Sequence, residues 1–375
     1  MPSALIIDDE SALTTIVSRF LERSGFDVDA ATSGAEGLEK ARATQPDVIV
    51  VDVMMPEMNG YEVCQRLRSD PRTTRAAILV LTARGQLVDR QMALQAGADA
   101  HTAKPFNGKT LVEEIQALLD KKAKPTPPRG CQVTVVKVRE GAGGTTLATN
   151  LGLCLAEEPD SLSVVADLVL KGGAVSHRLG LPATPSWAES PPAADDDLAD
   201  HLLRHEKGLF VLPAPTLSTE NNADPALVED HLKQLRSWYD CVVVDTARDL
   251  GPLAPVLLHS SHLVLLLLTP DPADLRTARA SLAAMKKLGQ PSLQIWPILN
   301  PGEAEPQAAQ LQAEEALGAP MVATLPWSPE LCAQAVTGQQ PVVLSAPDSP
   351  LSRAFHALAR RIVQTNGLSE RRSEA

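Results

Sequence analysis

Short apolar runs that stop at a polar residue recur along the chain, and between them apolar residues return every three or four positions. Runs at 4–7, 28–31, 48–51, 77–81 and a short one near Ala100 predict strands, while 108–122 predicts a helix with Leu111, Ile115, Leu118 and Leu119 on one face. The alternation resumes with predicted strands at 133–138, 162–166, 263–269 and 295–300, and with a helix from Thr145 carrying Leu147, Leu151 and Leu155 on one face. Strand and helix alternating in this way predict an α/β chain of two doubly wound parallel-sheet domains. Lys121 to Gly130, Lys-Lys-Ala-Lys-Pro-Thr-Pro-Pro-Arg-Gly, breaks the pattern and has the composition of a stiff, solvated spacer. The expected organisation is a first domain at 1–121, a linker at 122–130, a second domain at 131–366 and a polar tail at 367–375.

A length of 375 residues suits two domains, each with a sizeable core. The formal net charge of -12, with no helix-turn-helix or basic recognition stretch, argues against a nucleic-acid partner. Five cysteines without paired or metal-ligand spacing read as reduced thiols of a cytoplasmic protein. The N-terminal segment lacks a basic, apolar signal pattern, and the most apolar run, 263–268, is too short to span a membrane. Residues 182–200, rich in Pro, Ala and Asp around Trp187, read as a surface loop.

In a parallel sheet, ligands sit at the carboxyl ends of the strands. Those ends carry Asp8 and Asp9 after the first strand, Asp52 after the third, Thr82 after the fourth and Lys104 after the fifth. Three converging carboxylates repel unless a divalent cation neutralises them, and an all-oxygen site of this kind suits Mg²⁺. Asp52 beside such a metal can attack a phosphoryl donor, with Lys104 stabilising the transferred charge. The strings Ile-Asp-Asp-Glu, Val-Asp-Val-Met-Met-Pro-Glu-Met-Asn-Gly, Leu-Thr-Ala and Ala-Lys-Pro-Phe resemble a response-regulator receiver domain of flavodoxin-like fold. The resemblance implies a two-component phosphoprotein: Asp52 as phosphoacceptor, Asp8, Asp9, Asp52 and the Met54 carbonyl as Mg²⁺ ligands, Thr82 and Lys104 as phosphoryl contacts, and a sensor histidine kinase as donor. His101 stands where the family usually has the Tyr or Phe that turns inward on activation.

Residues 133–151 read as a buried strand, a turn at Gly141, Gly143 and Gly144, and a helix start, an arrangement that cradles phosphate on backbone amides. The stretch resembles the deviant Walker A loop of the MinD/ParA ATPases, a P-loop NTPase-like fold. Thr145 and Thr146 match that loop, Arg139 takes the place of its first lysine, and Gly144 the place of its loop lysine. Glu140 replaces a glycine and adds a carboxylate. Each charge change is worth roughly 3 kcal/mol at ~5 Å and an effective dielectric near 20, so tight ATP binding is not expected. Asp167 ends one strand, but Val169 holds the place of the family's second acid. Asp245 resembles a Walker B acid, and Asn300 stands where relatives contact the base.

Ala-Thr-Leu-Pro-Trp-Ser-Pro-Glu-Leu from Ala323 and the segment from Ala335 through the final helix most resemble the CpaE/TadZ subgroup. That resemblance implies a homodimeric localisation module for Tad pilus assembly proteins at the cell pole, with the degenerate domain acting as a pseudo-ATPase. The alternative is an active, ATP-dependent positioning ATPase. The final helix, with Leu351, Phe355, Leu358 and Ile362 on one face, is expected to pack on the core.

Overall fold

The computed structural model describes residues 1–82, 92–122, 130–159, 161–169, 172–182, 197–214 and 224–365; most of the expected linker and loop, Trp187 and the polar tail lie outside them. The chain divides into two compact units, Met1–Pro125 and Thr126–Ala375.

The first unit is a five-stranded, all-parallel sheet: β1 Ser3–Ile7, β2 Asp27–Ala31, β3 Val48–Asp52, β4 Ala77–Thr82 and β5 Ala100–Ala103. Its order, β2-β1-β3-β4-β5, puts the fully buried β3 at the centre, with Asp52 as its last residue. Two cores cover the faces. One gathers Leu5, Ile7, Ile49, Val51, Val63 and Leu67, the other Ile6, Val17, Leu21, Leu79, Leu111 and Ile115. The periodicity read in 108–122 is therefore the stripe that covers one face.

The turn after β3 is closed by local chemistry. Asn59 accepts from the Glu62 amide and Glu62 reaches back to the Asn59 amide, a capping box that starts the helix Gly60–Ser69. Gly60 has to be glycine because a Cβ there would lie 2.2 Å from the Asp52 carbonyl oxygen, which is backbone and cannot swing aside. Gly60→Ala is expected to destabilise the first unit by about 2 kcal/mol, as strain at a constrained backbone site does. A thermal melt of the full chain checks this, and an unchanged first transition refutes it.

The second unit holds an eight-stranded sheet ordered β13-β12-β11-β6-β10-β7-β9-β8. Its strands are β6 Cys131–Lys137, β7 Ser163–Leu168, β8 Leu203–Arg204, β9 Phe210–Leu212, β10 Cys241–Thr246, β11 Leu263–Leu268, β12 Gln294–Leu299 and β13 Ala323–Thr324. All pairs are parallel except β8 with β9. Helices enter through Asp-Pro and Glu-Pro starts, Asp224-Pro225, Asp271-Pro272 and Glu305-Pro306, where the acid side chain accepts from an early amide and proline presets the first turn. The helix Gly144–Ala156 packs Leu147, Leu151 and Leu155 into the sheet, each fully buried, and such burial is worth roughly 1.5–3 kcal/mol per side chain. The helix Pro350–Thr365 lays Leu351, Phe355, Leu358 and Ile362 on the same core.

The strand bounds differ from those the sequence suggested by one or two residues at several ends, and two of these differences bear on the site. Strand β6 begins at Cys131 and ends at Lys137, so Val138 already belongs to the loop. Strand β7 runs through Asp167 to Leu168, because pairing with β10 continues to Leu168 opposite Thr246. Among the described residues no helix is long and apolar enough to cross a membrane.

Candidate functional sites

In the first unit, β1 and β3 are neighbours, so Asp8 and Asp9 beyond the end of β1 meet Asp52 at the end of β3. Ligand oxygens from the three carboxylates lie within 4.8 Å of one another. Asp8 and Asp52 are buried while Asp9 is exposed. Lys104, just past β5, bridges the buried pair, 3.1 Å from Asp8 Oδ2 and 2.7 Å from Asp52 Oδ1. The Met54 amide donates to Asp52 Oδ2 at 2.8 Å, and the Glu10 amide to Asp8 Oδ1 at 2.9 Å. Thr82 is buried at the end of β4, and His101 sits half-buried in β5 opposite Val80.

The electrostatics follow from this packing. Burial pushes the Asp8 carboxyl above its usual range, against the Glu10 amide and Lys104. Burial alone would lower the pKa of Lys104, but its bonds to Asp52 and Asp8 outweigh that and hold the ammonium above its usual range. Three carboxylates against one ammonium leave a deficit of positive charge. The donor set is all oxygen and fits a hard divalent cation such as Mg²⁺, which Asp8, Asp9 and Asp52 could hold.

In the second unit, the loop after β6 turns on Gly141 and Gly143, at φ of +78° and +104°, values natural to glycine. It delivers the N-terminus of the helix Gly144–Ala156, whose first amides have no acceptor within the helix. The Asn300 amide nitrogen donates to the Ala142 carbonyl at 2.9 Å and ties down the loop. Asp167 is occupied as well, accepting from the amides of Val169 and Val175 at 3.0 Å each. Arg139 is held by Asp274 at 3.3 Å within the same chain. Thr145 is half-buried in the first turn, and Thr146 accepts from Arg178 at 3.1 Å.

Asp245 behaves differently. It is fully buried in β10, and neither carboxyl oxygen has a hydrogen-bond partner. Its Oδ1 lies 3.7 Å from the point where a Cβ on Gly144 would stand. Burial, and then the charge of Asp167, push its pKa up to about 7, against Thr145, Lys137 and Arg178. An orphaned carboxylate beside free helix amides is the polarity that a cation-bound phosphate chain satisfies, so these residues fit a magnesium nucleotide in part. The loop offers no lysine of its own.

Sequence reasoning missed Lys137 and Arg178. Lys137 is the last residue of β6 and is buried there. Its ammonium pairs with Glu140 at 3.3 Å, and the other Glu140 oxygen accepts from the Arg248 amide at 3.1 Å. The Glu140 carboxylate is therefore already partnered, which corrects the picture of a bare negative charge facing phosphate. Arg178 lies 32 positions beyond Thr146, and only the fold joins them.

Comparison with known proteins bears on both units. The family model "Response regulator receiver domain" matches residues 4–116. The first unit is a receiver domain. Over 119 residues it is 44% identical to the DNA-binding dual master transcriptional regulator RpaA of Synechocystis, spanning 32% of this chain and 49% of that protein. The chain spans about half the length of the curated relatives it matches, and the part shared is the receiver. A ParA family ATPase from Chlorobium tepidum superposes with a TM-score of 0.56 at 24% identity, covering 62% of this chain and 98% of that one. The septum site-determining protein MinD of Pyrococcus horikoshii, solved with Mg-ADP, gives 0.55 at 24% identity, with 64% and 98% covered. The second unit has the ParA/MinD fold, joined in one chain to the receiver.

Met54 is largely exposed at the rim of the receiver site. As an apolar residue two positions past Asp52 it would crowd a water attacking a phosphoryl group placed there, so in the chain phosphorylated with acetyl phosphate Met54→Asn is expected to speed phosphoryl loss by ~tenfold. A time course of phosphoprotein decay checks this, and an unchanged half-life refutes it.

Proposed function

We propose that this chain is a two-component response regulator of the CpaE/TadZ kind. A sensor histidine kinase passes a phosphoryl group to Asp52, and the MinD-like unit, as a homodimer, carries the signal as a localisation adaptor for Tad pilus assembly proteins at the cell pole. The observation that supports the phosphoacceptor role is the single ammonium of Lys104 bridging Asp8 and Asp52 at the rim of a three-carboxylate cluster.

In this reading Asp8, Asp9 and Asp52 would hold Mg²⁺, which would supply positive charge beside the transferred group. An Asp52 oxygen forms the new P–O bond as the donor's bond to phosphorus breaks. Lys104, already in contact with Asp52, neutralises the oxygens that gain charge, and Thr82 at the end of β4 is placed to contact them. The second unit is not expected to hydrolyse ATP, since position 144 carries no lysine and Val169 stands where a second acid would be. A positioning ATPase is the alternative reading, and the unpartnered Asp245 beside Gly144 is what favours it.

The test is incubation of the full chain with acetyl phosphate and Mg²⁺, followed on a phosphate-affinity gel. Stoichiometric, magnesium-dependent incorporation is expected, and none overturns the phosphoacceptor reading. For the adaptor half, the chain is expected to co-purify with pilus assembly proteins from cells that make them.

A further inference from the structure

Gly144 and Lys137 are coupled in space. A Cβ on Gly144 would lie 2.9 Å from Lys137 Cδ and 3.7 Å from Lys137 Cβ, so the strand lysine runs through the room that a side chain at 144 would fill. The Lys137 side chain is 6% exposed, against 67% for its partner Glu140, so the cation is the fixed member of the pair and the carboxylate the exposed one. Its charge is felt by both Asp245 and Asp167, whose carboxyl pKa values it lowers against their burial. Beside it stand the free amides at the start of the helix Gly144–Ala156 and the fully buried Asp245, whose two oxygens have no partner. A purely structural ion pair leaves that buried carboxylate unexplained, because Lys137 turns to Glu140 rather than to Asp245.

We propose that Lys137, entering from β6 through the gap at Gly144, supplies the positive charge that the loop lacks, so that the second unit binds the phosphate chain of a magnesium nucleoside triphosphate, with Glu140 as the internal competitor the ligand displaces. Lys137 is a binding residue in this proposal, and no turnover is assigned to it. The inference is independent of phosphorylation at Asp52 and survives the failure of that reading. It also predicts that Gly144→Lys alone gains nothing, since the new side chain would collide with Lys137.

The test is calorimetric titration of Mg-ATP into the full-length chain, with equal Mg²⁺ in syringe and cell so that metal binding by the receiver cancels. Glu140→Gly is expected to tighten binding by ~tenfold or more over the wild type, because the competing carboxylate is gone. Adding Lys137→Met to Glu140→Gly is expected to weaken it by ~100-fold, and Lys137→Ala with Gly144→Lys in that background to restore it. Equal affinities with and without Lys137, or no heat from Glu140→Gly at millimolar Mg-ATP, overturn the proposal. If Lys137→Met does not fold, amine acylation mapped by mass spectrometry in the Glu140→Gly chain decides: Mg-ATP is expected to protect Lys137, and an unchanged acylation rate overturns it.

Discussion

Asp52→Asn is expected to reduce phosphoryl incorporation from acetyl phosphate by at least ~100-fold, to background, while the chain stays folded. Asp52 is where charge and position meet: it ends the central strand, its Oδ2 is held by the Met54 amide, and its Oδ1 rests on Lys104. An amide at the same place keeps the shape but is not a nucleophile. Lys104→Ala should retain the nucleophile and lose the charge that stabilises transfer, and removal of one such preorganised donor costs ~10²–10³ in rate. The pair of variants separates the roles, since Asp52→Asn abolishes the end point whereas Lys104→Ala slows the approach to it. Gel-resolved time courses with each variant make the measurement. Incorporation by Asp52→Asn at the wild-type level would mean that another residue accepts the phosphoryl group.

Asp245→Asn is expected to stabilise the second unit at pH 8 and not at pH 5, in the absence of divalent cations. Burial and the nearby Asp167 raise the Asp245 pKa from 3.8 to about 7. The fold therefore binds a proton that the unfolded chain releases, and between those two values stability falls as pH rises. At pH 8 the charged carboxylate costs the fold about 4 kcal/mol, from roughly three pKa units at about 1.36 kcal/mol each. An asparagine removes that cost but leaves its own amide poorly satisfied, at about 1–3 kcal/mol, so the net gain is about 2 kcal/mol. For a unit of this size that raises Tm by about 4–8 °C. At pH 5, where Asp245 is protonated in the fold, the gain disappears. Thermal melts of the full chain and of Asp245→Asn at both pH values in a chelator decide the matter. The same shift at pH 5 and pH 8 would show that burial of charge is not the cause.

Much of the receiver was legible in the chain. Its strands announce themselves as runs of β-branched and aliphatic residues, and each run stops at a residue with chemistry, Asp8, Asp52 or Thr82, because a parallel sheet collects strand ends along one edge. The helix 108–122 was equally plain from its spacing. In the second unit, the glycine loop and the threonines after it were readable for the same reason, as were the buried Leu147, Leu151 and Leu155.

What the chain could not disclose were the partners across strands and turns. Arg139 is an exposed loop residue, and its partner Asp274 lies 135 positions later, where no local pattern points to it. Asn300 was placed by resemblance, and only the fold shows that its amide also closes on Ala142, 158 positions earlier. The boundary of β6 shifted by one residue, and that shift matters: with Val138 counted in the strand, Lys137 is an interior position of no obvious interest, whereas with the strand ending at Lys137 its side chain turns beneath the loop.

By itself the sequence determined which residues carry charge, which runs bury themselves, and where each strand must give way to a loop, since these depend on side-chain polarity and on neighbours a few positions apart. Only the tertiary structure decided that Lys137 is buried beside Gly144, that Glu140 already has a partner, and that the Asp245 oxygens lack one. Those facts depend on distances between segments far apart in the chain, and the electrostatic energy of a buried group is set by what packs against it rather than by what precedes it.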